Sequence, residues 1–173
     1  MNELSLQSTA QQVMKVLAEK NYQLVTVESC TGGWVGKLIT DLSGSSAVFA
    51  GSFVTYSNEA KQQMVGVRPE TLEAFGAVSE TVALEMAQGA IERTDAQVSV
   101  SITGVAGPTG GTEEKPVGMV CFAWAIKENL LESAVCYFEG NREQVRQQAV
   151  EHALQGVVLR LSLIHISGPR DRG

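Results

Sequence analysis

Cysteine and histidine are scarce in this chain, long apolar runs are missing, and acidic residues outnumber basic ones. The three cysteines, Cys30, Cys121 and Cys136, form no CxxC spacing. Their odd number argues against a disulfide framework and suits a reducing, cytoplasmic setting. The two histidines, His152 and His165, stand thirteen positions apart near the C-terminus, which clusters too few ligand types for a zinc centre. No apolar stretch approaches the roughly 20 residues that span a bilayer, so no membrane association is expected. The opening Met1-Asn2-Glu3 carries neither the basic segment nor the apolar core of a secretion signal. With 13 Lys+Arg against 19 Asp+Glu the formal net charge is -6, a balance that disfavours nonspecific contact with nucleic acid.

What is present is an ordinary globular balance: 173 residues, 44% hydrophobic and 18% charged, with a mean hydropathy of +0.03. Residues 1–166 are expected to form a single domain, and the Gly/Pro-containing stretch 167–173 a disordered tail. Helix and strand signals alternate, which predicts an α/β layered domain. Ala10, Val13, Met14 and Leu17 recur at helical spacing within residues 4–20, and Leu24 to Val27 reads as a short buried strand. A glycine break at 31–33 precedes a second helix, and Phe49 to Tyr56 favours a strand. Ser79 is placed to cap a helix running to about Thr94. From Gln97 to Thr103 the residues alternate, with Val98, Val100 and Ile102 on one side and Ser99, Ser101 and Thr103 on the other. Two strands, 117–126 and 131–138, follow as an antiparallel pair. Asn141 and Gln144 then suggest a capping box for a long last helix.

Four segments have the composition of a chemical site. Glu28-Ser29-Cys30-Thr31-Gly32-Gly33 lies where a strand hands over to a helix. A serine there sits at the mouth of a sheet, and the N–H groups of Thr31, Gly32 and Gly33 would be free first-turn donors for an oxyanion or a phosphate. The same residues would equally serve as a helix start with no chemistry. Cys30 is a rival nucleophile, but no histidine lies in the N-terminal half to activate it, and it reads better as a small buried side chain. Tyr56-Ser57-Asn58-Glu59-Ala60-Lys61 places a phenol and an amine within one strand end and the following helical turn. A desolvated lysine loses its proton near neutral pH and can activate a serine without histidine. Gly104-Val105-Ala106-Gly107-Pro108-Thr109-Gly110-Gly111 exposes backbone donors in the manner of an anion nest, yet lacks the Gly-Lys-Ser/Thr of a phosphate-binding P-loop. Arg142 opens the last helix, where a guanidinium and the helix terminus together suit a phosphate or carboxylate.

Together with Gly76-Ala77-Val78-Ser79-Glu80, Ser101-Ile102-Thr103-Gly104-Val105-Ala106-Gly107-Pro108 and Lys115-Pro116-Val117-Gly118, these segments resemble the CinA C-terminal domain family over about residues 5–160. The resemblance implies a three-layer α/β/α sandwich with a mixed central sheet. It also implies an amidohydrolase that turns nicotinamide mononucleotide into nicotinic acid mononucleotide and ammonia, with no metal or organic cofactor. Its serine falls on Ser29, its tyrosine on Tyr56 and its lysine on Lys61, and the glycine-rich substrate loop on Thr103, Gly104, Val105, Ala106 and Gly107. Thr31, Gly32, Gly33, Asn58 and Arg142 join these as expected substrate contacts. The expected partners are a small pyridine nucleotide and further copies of the same chain, as a homodimer or larger. Whether Tyr56 or Lys61 is the immediate base stays open at this level. The alternative is a non-catalytic nucleotide-binding module with a competence- or DNA-damage-linked role. It would keep the glycine loops without needing Tyr56 or Lys61. A short-chain oxidoreductase also combines Ser, Tyr and Lys, but at a Tyr–Lys spacing of four; here the spacing is five and the N-terminal glycine fingerprint is missing.

Overall fold

The computed structural model describes residues 3–164, so the expected tail at 167–173 lies outside the described residues. Five strands form one mixed sheet in the order β2-β1-β3-β4-β5: β1 Leu24–Glu28, β2 Phe49–Val54, β3 Val98–Gly104, β4 Met119–Ile126 and β5 Leu130–Tyr137. β1 pairs in parallel with β2 and β3, whereas β3, β4 and β5 pair antiparallel. Six α-helices cover the sheet: α1 Glu3–Lys20, α2 Trp34–Thr40, α3 Asn58–Val65, α4 Pro69–Phe75, α5 Glu80–Arg93 and α6 Arg142–Leu163. The expected α/β/α sandwich with a mixed sheet is the architecture observed.

Period-2 alternation divides the core between the two faces. Leu24, Val98, Val100, Ile102, Phe122 and Trp124 pack with α1, α2 and α6. Val25 and Val27 pack on the opposite face with Val82, Met86 and Ala90 of α5. The hydroxyl side of β3 is not solvated. Ser99, Ser101 and Thr103 are buried, and they donate to the carbonyls of Ala87 (2.8 Å), Ala83 (2.6 Å) and Ala77 (2.9 Å). A hydroxyl buried without such a partner costs about 1–3 kcal/mol, so these bonds are what permits a polar strand face beneath a helix. The facing helix surface is made of alanine, which lets α5 lie close. On the other face Gly156 of α6 makes room for the indole of Trp124, whose Nε1 donates to Ala153 O at 3.0 Å.

The helix signals hold with small shifts at the ends. Asn21, at φ 58, ends α1, and Ser79 caps α5 by accepting from the N–H of Val82. Asn141 and Gln144 form the expected capping box. Among the described residues no helix is long and apolar enough to cross a membrane.

This topology fixes where a ligand can enter. From β1 the chain passes through α2 to β2 on one side; from β2 it passes through α3, α4 and α5 to β3 on the other side of β1. Right-handed crossovers in opposite directions must use opposite faces, so the connections diverge above the carboxyl ends of β1 and β2 and leave a crevice there, beside the end of β3.

Candidate active site

The chain leaves β1 at Ser29, whose N–H donates to Ile102 O of β3 at 3.0 Å, so the serine stands at that crevice. β2 ends beside it: the N–H of Thr55 donates to Glu28 O at 2.8 Å. Ser57 caps α3 by accepting from Ala60 N at 3.0 Å, and the first turn of α3 carries Lys61 back under the strand end. The result is direct contact, with Lys61 Nζ 2.9 Å from Ser29 Oγ. Lys61 Nζ also donates to Thr55 O at 2.8 Å and reaches Tyr56 O at 3.5 Å.

Lys61 is only 1% exposed. Burial penalises its charged form and pulls its pKa from 10.5 down to about 8. Once neutral, the amine keeps two hydrogens for the two carbonyls and turns its lone pair to the serine hydroxyl, the arrangement of a general base. Cys30 is the contrary case, since burial pushes its thiol up to about 12 and the thiolate is suppressed.

Ser29 and Lys61 open onto a cavity of about 280 Å³. Tyr56, Asn58, Thr103, Gly104, Ala106 and Arg142 also line it, as the sequence led us to expect. The phenol of Tyr56 does not join the contact between Ser29 and Lys61; the residue is 67% exposed and lies at the rim. Arg142 donates from Nη1 to Gly107 O at 2.7 Å, which ties the start of α6 to the glycine loop. Val105 and Gly107 shape that loop without lining the cavity. Val105 is bonded through N to Met119 O and through O to Gly118 N, and Gly107 takes a φ of 84°.

Thr31, Gly32 and Gly33 do not line the cavity, and the N–H groups of Gly32 and Gly33, expected as free donors, are engaged. Gly33 N donates to the Glu28 carboxylate at 3.1 Å, and Gly32 N to Ser29 O at 3.0 Å. The Thr31 hydroxyl donates to Glu28 at 2.8 Å. A carboxylate with no exposed surface must gather donors, and Glu28 gathers those nearest to it.

Sequence reasoning passed over four residues. Ala77 and Val78 line the cavity opposite the serine. Arg146 donates from Nε to Cys30 O at 3.0 Å and from Nη2 to Thr31 O at 3.1 Å, with its guanidinium over the ring of Trp34. Its signal was there in its position four residues after Arg142, on the same helix face. Glu28 announced itself as a charge at the end of an apolar strand.

A serine hydroxyl and a buried amine at neighbouring strand ends, facing one cavity in a doubly covered mixed sheet, define a serine–lysine site on an α/β/α domain. The CinA C-terminal domain model matches residues 6–161, and the chain belongs to that family. It is 52% identical over 155 residues to the nicotinamide-nucleotide amidohydrolase PncC of Escherichia coli (strain K12), covering 90% of this chain and 94% of that protein. A CinA-like protein of Chlorobaculum tepidum is 48% identical over 153 residues, which are 86% of this chain and 36% of that longer protein. Among solved structures, the competence/damage inducible protein CihA from Agrobacterium tumefaciens superposes with a TM-score of 0.87 at 39% identity, covering 91% of this chain and 96% of that one.

Proposed function

We propose that this chain is an amidohydrolase that hydrolyses the carboxamide of nicotinamide mononucleotide to nicotinic acid mononucleotide and ammonia. The observation that carries the chemistry is the 2.9 Å contact between Ser29 Oγ and a fully buried Lys61 amine. The substrate comes from the amidohydrolase relative, which matches nearly end to end.

Neutral Lys61 takes the proton of Ser29 as its oxygen attacks the carboxamide carbon, giving a tetrahedral oxyanion and an ammonium side chain. Lys61 returns that proton to the departing nitrogen, ammonia leaves, and an ester on Ser29 remains. Water, deprotonated by the same amine, then attacks the ester and releases the carboxylate. Tyr56 at the rim is placed to cover the pyridine ring. Asn58 and the Thr103–Ala106 strand end hold the ribose, and Arg142 at the head of α6 receives the phosphate. Homo-oligomeric assembly is part of the same reading, and light scattering checks it.

The decisive experiment is ammonia release from nicotinamide mononucleotide by the wild type and by Ser29→Ala. Loss of turnover in a variant with an unchanged thermal transition is expected. Undiminished release removes the serine from the mechanism, and tight binding of the mononucleotide by the wild type with no release refutes catalysis altogether.

A further inference from the structure

The carboxylate of Glu28 is completely buried, immediately precedes Ser29, and does not line the cavity. Its Oε1 accepts from Thr31 Oγ1 (2.8 Å), Gly33 N (3.1 Å) and Val35 N (3.0 Å). Its Oε2 accepts from Gly36 N (3.0 Å) and from the hydroxyl pair Thr26 Oγ1 (3.0 Å) and Ser52 Oγ (3.4 Å), which are bonded to each other so that one of the two donates to the carboxylate at a time. Helix α2 has no side-chain cap from its own N-cap residue, Gly33. Glu28 does that work from the preceding strand, taking up the first-turn N–H groups that such a helix leaves unsatisfied. Gly36 allows the close approach, because a Cβ there would stand 2.3 Å from Ser52 Oγ.

The consequence lies in what is left over. Within the turn from Ser29 to Gly33, the N–H groups of Ser29, Gly32 and Gly33 are engaged by Ile102 O, Ser29 O and Glu28. The carbonyls of Cys30 and Thr31 are held by Arg146. Among the described residues neither Cys30 N–H nor Thr31 N–H donates to another residue, and of the two only Cys30, which directly follows Ser29, lines the cavity. A donor one residue past the nucleophile is well placed to receive the charge that develops on the substrate oxygen.

We infer that Glu28 is a positioning residue for the reaction: by fixing the turn and the head of α2 through donors of Thr31, Gly33, Val35 and Gly36 it presents the Cys30 N–H as the oxyanion donor. The inference rests on the serine–lysine reading above. It differs from that reading in assigning the oxyanion to Cys30 rather than to the glycines, and in giving the buried carboxylate a part in turnover. Glutamine at position 28 keeps the shape but replaces one acceptor oxygen with an NH2, which must then face N–H and hydroxyl donors. The turn relaxes while the amine of Lys61 keeps its own partners, Thr55 O and Tyr56 O.

The test measures kcat, KM and the pH midpoint of kcat/KM for Glu28→Gln with nicotinamide mononucleotide, beside Ser29→Ala. A kcat reduced about 10- to 100-fold is expected, with KM within about twofold and the pH midpoint unmoved, because only the transition state uses the displaced donor. An unchanged kcat overturns the inference, and so does a shifted pH midpoint, which would mean that the serine–lysine contact itself had been disturbed. Should Glu28→Gln fail to fold, Thr31→Val removes one of these donors without altering side-chain shape. A kcat lowered about two- to tenfold at constant KM is then expected, and a wild-type kcat refutes the proposal. If Ser29→Ala stays active, the underlying serine–lysine reading fails; if Ser29→Ala is dead and the Glu28 and Thr31 variants are fully active, only the present inference does.

Discussion

Replacing Lys61 by methionine should abolish turnover and at the same time remove a rise of stability with pH above neutrality. In the folded chain burial holds the amine at about 8, against 10.5 when exposed. At about 1.4 kcal/mol per pH unit, that displacement costs the native state about 3 kcal/mol at pH 7. Since the side chain is 1% exposed, solvent screening does not reduce the figure. Methionine removes this cost with a side chain of similar length, but leaves Thr55 O and Ser29 Oγ without their partner, at about 1–3 kcal/mol each. The two terms roughly offset, so at pH 7 the variant should lie within about 3 kcal/mol of the wild type. The pH dependence is the sharper signature. Between pH 8 and 10.5 the unfolded chain binds a proton at Lys61 that the folded chain has lost, so wild-type stability rises with pH across that window. Relative to Lys61→Met, the wild type should gain about 2–3 kcal/mol between pH 7 and pH 10. Urea unfolding at the two pH values measures it. A difference between the proteins that does not change with pH would refute a buried, depressed lysine, and with it the proton acceptor for Ser29.

Two further outcomes follow from the same geometry. The kcat/KM of the wild type should climb with pH through a midpoint of about 8 as Lys61 becomes neutral, so that at pH 7 about a tenth of the sites are competent; a stopped-assay profile that is flat from pH 6.5 to 9 contradicts this. Arg142→Ala should raise KM for the mononucleotide about tenfold or more while leaving activity on the phosphate-free riboside, where measurable, within about twofold. Equal losses on both substrates would place the arginine's importance in holding Gly107 O instead.

Much of this was legible in the chain because local signals and tertiary structure agree. The 3.6-residue spacing of Val145, Ala149, Ala153 and Val157 marks the buried face of α6, and alternation along β3 separates its two faces correctly. The serine, the lysine and the rim of the cavity were readable as strand-end and glycine-loop residues. The error lay at Gly32 and Gly33, where first-turn donors of a helix were taken as available. Composition cannot say which acceptor wins such donors. That depends on a carboxylate five residues earlier being folded inward, an event fixed by the parity of β1: Leu24, Thr26 and Glu28 share the face on which α2 packs. Spacing alone likewise cannot say which of Tyr56 and Lys61 meets Ser29, since both fall near the end of β2; which side chain turns inward is set by the first turn of α3.

The bonding around the nucleophile also explains why an amine so costly to bury stays in place. Glu28 O accepts from Thr55 N, Thr55 O accepts from Lys61 Nζ, and Lys61 Nζ meets the hydroxyl of Ser29, which follows Glu28 in the chain. The circuit closes on itself across two parallel strands. Its members come from the end of β1, the end of β2 and the first turn of α3, and the parallel register that pairs Glu28 with Val54 aligns them. A shift of that register by one residue would turn the inward side chains of β2 to the opposite face and carry Thr55 away from Glu28. The contact between Ser29 and Lys61 is thus a property of the sheet pairing rather than of a flexible lysine finding a serine. The energetic penalty of a desolvated amine is met by the cooperative stability of the strands that enclose it.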